Sequence, residues 1–136
     1  MMVGIDHIGI AVRDLQEQIA LYRDRLGLRF EGIEEVPSQK VRVAFFDAGG
    51  ARVELLESTA PDGPIARHID RRGEGIHHVA YRVTDIRAAM AEAVARGLRL
   101  VDEEPRPGAH NTLVCFLHPK STGGVLTELV QHVGSE

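Results

Sequence analysis

Apolar and polar positions alternate with a period of two over residues 3–12. Ile5, His7, Gly9 and Ala11 fall on one face and Ile8, Ile10 and Val12 on the other, which is the pattern of a strand. At Asp14 the period changes. Leu15, Ile19, Tyr22 and Leu26 recur at helical spacing and predict one stripe of an amphipathic helix. Asp14 suits the N-cap, with Glu17 three residues on for a reciprocal contact. Gly27 is placed to stop the helix. Leu28–Ile33 predicts a weaker strand, and Glu34–Lys40, with Pro37 and Ser38, a loop. Val41–Asp47 and Val53–Glu57 predict two strands joined around Gly49-Gly50.

Residues 58–74 break the pattern. Pro61, Gly63 and Pro64 mark a loop, and Pro64 suits the first turn of a short helix, Ile65–Arg72. Arg67, Arg71 and Arg72 read as its solvated face. The earlier order of elements then returns. Ile76–Val83 predicts a strand. Asp85 opens a helix with Ile86, Met90 and Val94 as its stripe, Ala89 and Ala93 beside it, and Gly97 at its end. Leu98–Val101 predicts a strand, residues 102–110 a loop, Thr112–His118 a strand and Val125–Gln131 the last strand.

The two halves share residues as well as pattern. Gly4-Ile5-Asp6-His7 is echoed by Gly75-Ile76-His77-His78, an offset of 71 residues. Phe45-Phe46-Asp47 is echoed at the same offset by Phe116-Leu117-His118. Glu54 is matched by Glu128 at an offset of 74, because the second copy has a turn three residues longer, an insertion that a surface turn accommodates at little cost. The expected fold is therefore α+β. It is one domain over residues 1–136, built from two tandem β-α-β-β-β modules: module one 3–57, a connector 58–74 and module two 75–132.

Composition narrows the partners. The formal net charge is −4, from 16 basic and 20 acidic residues, which argues against a nucleic-acid or anionic-membrane partner. Aromatic residues make up 4% with no Trp, too few for base-stacking platforms. No apolar run approaches the ~20 residues that span a bilayer. The N-terminus lacks the pattern of a signal peptide. Cys115 is the lone cysteine, so no intramolecular disulfide is expected and a cytoplasmic location fits.

The repeat singles out His7 and Glu54 in one module and His78 and Glu128 in the other. A lone histidine in an apolar strand is more often a satisfied core residue than a ligand. Such residues at equivalent positions of two modules point to a metal. Two neutral imidazoles and two carboxylates, with room for water, suit an octahedral divalent ion such as Co²⁺, Mn²⁺, Ni²⁺, Fe²⁺ or Mg²⁺, with Zn²⁺ a further alternative. His77 aligns with Asp6 rather than His7, and Glu57 lies three residues past Glu54. Alternation turns both to the opposite face. His68, His110, His118 and His132 are expected on the surface or in loops, with His110 and His118 the ones whose loops could reach a ligand.

Paired modules of this kind resemble the vicinal oxygen chelate superfamily, which includes glyoxalase I, extradiol dioxygenases and fosfomycin-resistance proteins. Asp6-His7-Ile8-Gly9-Ile10-Ala11-Val12, Gly75-Ile76-His77-His78 and above all Phe116–Leu129, with His118-Pro119-Lys120 and Gly124-Val125-Leu126-Thr127-Glu128-Leu129, resemble the methylmalonyl-CoA epimerase family. The resemblance implies a curved mixed sheet around a metal cleft, one divalent ion (cobalt foremost), a homodimer and a CoA-thioester substrate. It implies epimerisation at C2 of methylmalonyl-CoA through an enolate. The metal ligands expected from the repeat are His7, Glu54, His78 and Glu128, and the chemistry of moving a proton between two faces makes Glu128 and Glu54 the expected pair of bases. Lys120 and Ser121 would contact substrate, and Gln39 could hydrogen-bond it. Many members of the family carry a catalytic Glu on the third strand, where this chain has Val43. In this respect it is similar to glyoxalase I, whose two metal glutamates face the substrate from both sides. Other readings are a glyoxalase-like isomerase or lyase acting on a hemithioacetal, and a small-molecule binder without catalysis. An Fe(II) oxygenase is disfavoured, since that chemistry uses two His and one carboxylate.

Overall fold

A computed structural model describes residues 1–134 of the chain. It contains β1 (Met2–Ala11), α1 (Leu15–Ala20), β2 (Arg29–Val36), β3 (Val41–Asp47), β4 (Arg52–Ser58), α2 (Pro64–Arg72), β5 (Gly75–Val83), α3 (Ile86–Ala95), β6 (Arg106–Gly108), β7 (Thr112–Leu117) and β8 (Thr127–His132). The chain forms two compact units. One is His7–His77; the other joins Met1–Asp6 to the chain from His78 onward.

In the first unit the strand order is β2-β3-β4-β1. β2–β3 and β3–β4 are antiparallel, and β4 returns beside β1 in parallel. In the second unit the order is β5-β8-β7-β6, with β8 parallel to β5. In each unit, therefore, the last long strand lies against the first. That adjacency brings together residues far apart in sequence.

One face of each sheet is closed by its helix. In the first unit Leu15 and Ile19 of α1 pack with Val12, Ala44, Phe46 and Leu55. Phe46 is fully buried, with Tyr22 and Phe30 tilted against its ring at centroid distances of 5.7 and 5.4 Å. In the second, Ile86, Ala89, Met90 and Ala93 of α3 pack with Val83, Cys115, Leu117 and Leu129. Asp14 Oδ1 accepts from Glu17 N at 3.0 Å and Asp85 Oδ1 from Ala88 N at 3.1 Å, so both helices are capped at the expected residues. Gly27 and Gly97 end the two helical segments with φ of 78° and 88°, angles that a Cβ would strain.

Three expectations are corrected. Leu26 is 59% exposed. After Ala20 the helix widens into a π turn over Leu21–Arg25, with Leu26 N bonded to Leu21 O at 3.0 Å. The wider turn rotates Leu26 off the stripe that straight helical spacing predicts. On α3 the buried stripe is Ile86, Ala89, Met90 and Ala93, while Val94 is 55% exposed. Leu98–Val101 is not a strand: only Leu100 forms a bridge, to Leu117. Beyond it the Asp102 carboxylate takes the Phe116 amide at 2.8 Å, in place of a ladder bond. Pairing along that edge of β7 resumes inside the expected loop, as β6.

Candidate metal centre and active site

The four repeated residues lie on the sheet faces away from the helices, and all are nearly inaccessible: His7 6%, Glu54 6%, His78 5% and Glu128 4% exposed. Burial at that level is costly for ionisable groups unless they are paired or bind a metal. Both units meet this requirement in the same way. His7 Nδ1 lies 3.3 Å from Glu54 Oε2, and His78 Nε2 lies 3.1 Å from Glu128 Oε1.

The register explains how each pair forms. Glu54 stands directly across from Gly9, and Glu128 directly across from Ala80. In both cases the histidine is two residues earlier on the first strand and reaches the carboxylate along a diagonal. The residue squarely opposite the carboxylate is small in both modules, which leaves that space open. On its other side each glutamate faces an aromatic ring, Phe45 across from Glu54 and Phe116 across from Glu128. The Phe116 ring meets His78 edge-on at a centroid distance of 5.5 Å and holds the imidazole in place. In each unit a buried imidazole nitrogen thus lies beside a buried carboxylate, and these are donor types that suit a divalent ion.

The remaining candidates are placed differently. Val43 is 2% exposed and stands across from Leu56. The third strand therefore presents a buried apolar side chain at the position that the resemblance compares with a catalytic Glu. Ser121 belongs to a 3₁₀ turn, Pro119–Ser121. Its hydroxyl donates to His118 O at 2.8 Å and accepts from Arg99 N at 3.1 Å, so it braces the turn. Lys120 is exposed, and its amide donates to His118 Nδ1 at 3.1 Å. Gln39 ends the short 3₁₀ turn Pro37–Gln39 before β3.

Other histidines have roles that spacing does not reveal. His132 Nε2 lies 2.5 Å from Asp6 Oδ1, and Arg82 Nε donates to the same oxygen at 3.3 Å. Asp6 is 2% exposed; a carboxylate inside an apolar strand is itself the signal that a cationic partner is needed. The His68 and His77 rings meet edge-on at 4.9 Å. Glu57, turned to the helix face, accepts from Leu15 N at 3.0 Å and from Arg42 Nη1 at 2.8 Å. Gln131 does the same for α3, accepting from Ile86 N at 2.8 Å. Thus three residues past each glutamate an acceptor ties the same strand to the first turn of its helix. Cys115 is fully buried. Burial, with Asp102 nearby, pushes its thiol up to about 11, which removes it as a nucleophile.

Comparison with known proteins shows the family to which the chain belongs. Residues 6–116 match the family described as the Glyoxalase/Bleomycin resistance protein/Dioxygenase superfamily. The ethylmalonyl-CoA/methylmalonyl-CoA epimerase of Cereibacter sphaeroides is 38% identical, over 96% of this chain and 99% of that protein. The crystal structure of methylmalonyl-CoA epimerase from Mycobacterium tuberculosis superposes with a TM-score of 0.94 at 38% identity, covering 98% of this chain and 90% of that one. A methylmalonyl-CoA epimerase solved in complex with methylmalonyl-CoA and NH₄⁺ gives a TM-score of 0.94 at 37% identity, over 100% and 99% of the two chains.

Proposed function

The chain belongs to the methylmalonyl-CoA epimerase family, within the glyoxalase superfamily, and on that footing we propose that it interconverts the (2R) and (2S) epimers of methylmalonyl-CoA. The observation that carries the reading beyond family membership is the doubled pair: His7 with Glu54 and His78 with Glu128, each on neighbouring parallel strands.

The reaction needs a proton taken from C2 and another returned on the opposite face. We assign the two transfers to Glu54 and Glu128. One begins ionised and takes the C2 proton, and the C–H electron pair moves into the enolate. The other begins protonated and gives its proton to C2 from the other side; for the opposite epimer the roles exchange. Positioning beside the proton governs the rate as much as basicity does. Val43 is buried and apolar, so the third strand offers no base at that position, and this favours Glu54. His7 and His78 would hold a divalent ion together with the two carboxylates. When bound, that ion supplies Lewis acidity, which stabilises negative charge developing on the thioester oxygen. Phe45 and Phe116 keep water from the carboxylates they face.

Cobalt is the foremost candidate for the ion, with Mn²⁺, Ni²⁺, Mg²⁺, Zn²⁺ and Fe²⁺ as alternatives. A homodimer and a cytoplasmic location complete the proposal; the single, buried Cys115 suits a reducing compartment. Among the described residues no helix is long and apolar enough to cross a membrane. The reading is tested by supplying one C2 epimer and following its conversion chromatographically, with and without a chelator. Conversion that the chelator stops and added metal restores is expected. An unchanged epimer in metal-loaded protein would overturn the proposal.

A further inference from the structure

The repeat keeps both histidines, both glutamates and both facing aromatics, yet the residues two positions before the glutamates differ. Two residues before Glu54 stands Arg52; two residues before Glu128 stands Leu126. Arg52 is level with His7 in the β1–β4 ladder and shares the face of Glu54. Its guanidinium leans along the strand toward the site. Its central carbon lies 5.4 Å from the centroid of the Phe45 ring, and Nη2 lies 3.6 Å from Glu54 Oε2.

That guanidinium is poorly satisfied. Its side chain is 22% exposed. Nε is buried and makes no hydrogen bond among the described residues, and 3.6 Å to Glu54 is beyond hydrogen-bond reach. Buried polar groups are nearly always bonded, so donors left open beside a reacting site call for an acceptor that arrives with the ligand. Charge points to its nature. A guanidinium stays charged at any working pH, so the acceptor that suits it best is an anion. A guanidinium seated on an aromatic face keeps its fork pre-organised for a carboxylate.

We propose that Arg52 binds the free carboxylate of the substrate, a role that rests on the epimerase reading. The CoA phosphates are the other anions an arginine could meet, and propionyl-CoA separates the two cases. It carries the same phosphates and thioester but lacks the carboxylate.

The experiment is calorimetric binding of methylmalonyl-CoA and of propionyl-CoA to the full-length, metal-loaded protein, wild type and Arg52→Met, with Arg52→Lys as the charge-conserving variant. Loss of a hydrogen bond to a charged group predicts that Arg52→Met weakens methylmalonyl-CoA roughly tenfold or more. Propionyl-CoA binding should not change, and Arg52→Lys should recover part of the loss. Equal weakening of both esters would overturn the proposal in favour of phosphate contact or a structural role. Unchanged binding of both by Arg52→Met would overturn it too, while leaving epimerase activity in the wild type intact. A wild type that binds neither ester would sink the epimerase reading and this inference with it.

Discussion

His78 Nε2 lies 3.1 Å from Glu128 Oε1, although the two residues are 50 positions apart and occupy parallel strands two residues out of register. The same diagonal joins His7 to Glu54. A repeated strand order therefore produces a repeated chemical pair, and each pair can be tested separately.

If Glu54 and Glu128 are the two bases, neither can be replaced without cost. Glu128→Gln should lower the rate of epimerisation about 10²–10⁴-fold, the range for removing a positioned general base. Glu54→Gln should impair it as well. Full activity in Glu54→Gln would place the second base elsewhere. The measurement is the initial rate with a single epimer at saturating metal.

Metal binding should be visible without turnover. A ligand that binds only the folded state adds about 2.7 kcal/mol of stability at a hundred times its dissociation constant. Stripped protein should therefore melt at a higher temperature when Co²⁺ is added. His7→Ala and His78→Ala should each lose most of that increment. A gain undiminished in both variants would show that the ion binds somewhere else.

Glu57 and Gln131 should contribute to stability rather than chemistry. Each accepts the first free amide of a helix, Leu15 N at 3.0 Å and Ile86 N at 2.8 Å. Replacement of either by Ala should cost about 1–2 kcal/mol in urea unfolding, as for a lost capping bond. The Glu57 variant should be the more damaging, since Arg42 also loses its partner.

His68 should titrate below its ordinary range, because burial and then the charges of Arg72 and Arg71 oppose its proton. The unfolded chain then binds that proton more readily than the folded one. Stability from this group is complete above the unfolded pKa, about 6.5, and is lost as pH falls through the lower folded value. An NMR titration of the His68 ring should show the depressed midpoint, and Arg72→Gln should raise it.

Much of the fold was legible in the sequence because its signals are local. Asp14 and Asp85 announce helix starts, Gly27 and Gly97 announce ends, and alternation places β1, β3 and β5 within a residue or two. The His and Glu residues were legible because they recur. What escaped depends on contacts between distant segments. The π turn that exposes Leu26 follows from backbone bonding that side-chain spacing does not record. The loss of a strand at Leu98–Val101 follows from the side chain of Asp102 occupying the edge of β7. Asp6 became intelligible only when β8 brought His132 to it. Arg52 stood out once the register set it level with His7.

On the proposed function, this chain moves the C2 proton of methylmalonyl-CoA. Incubation in D₂O, with and without added Co²⁺, tests it most directly by following deuterium at C2 by mass spectrometry. Rapid, metal-dependent incorporation together with interconversion of the epimers is expected. Exchange no faster than the buffer background, in protein shown to hold metal, would contradict it.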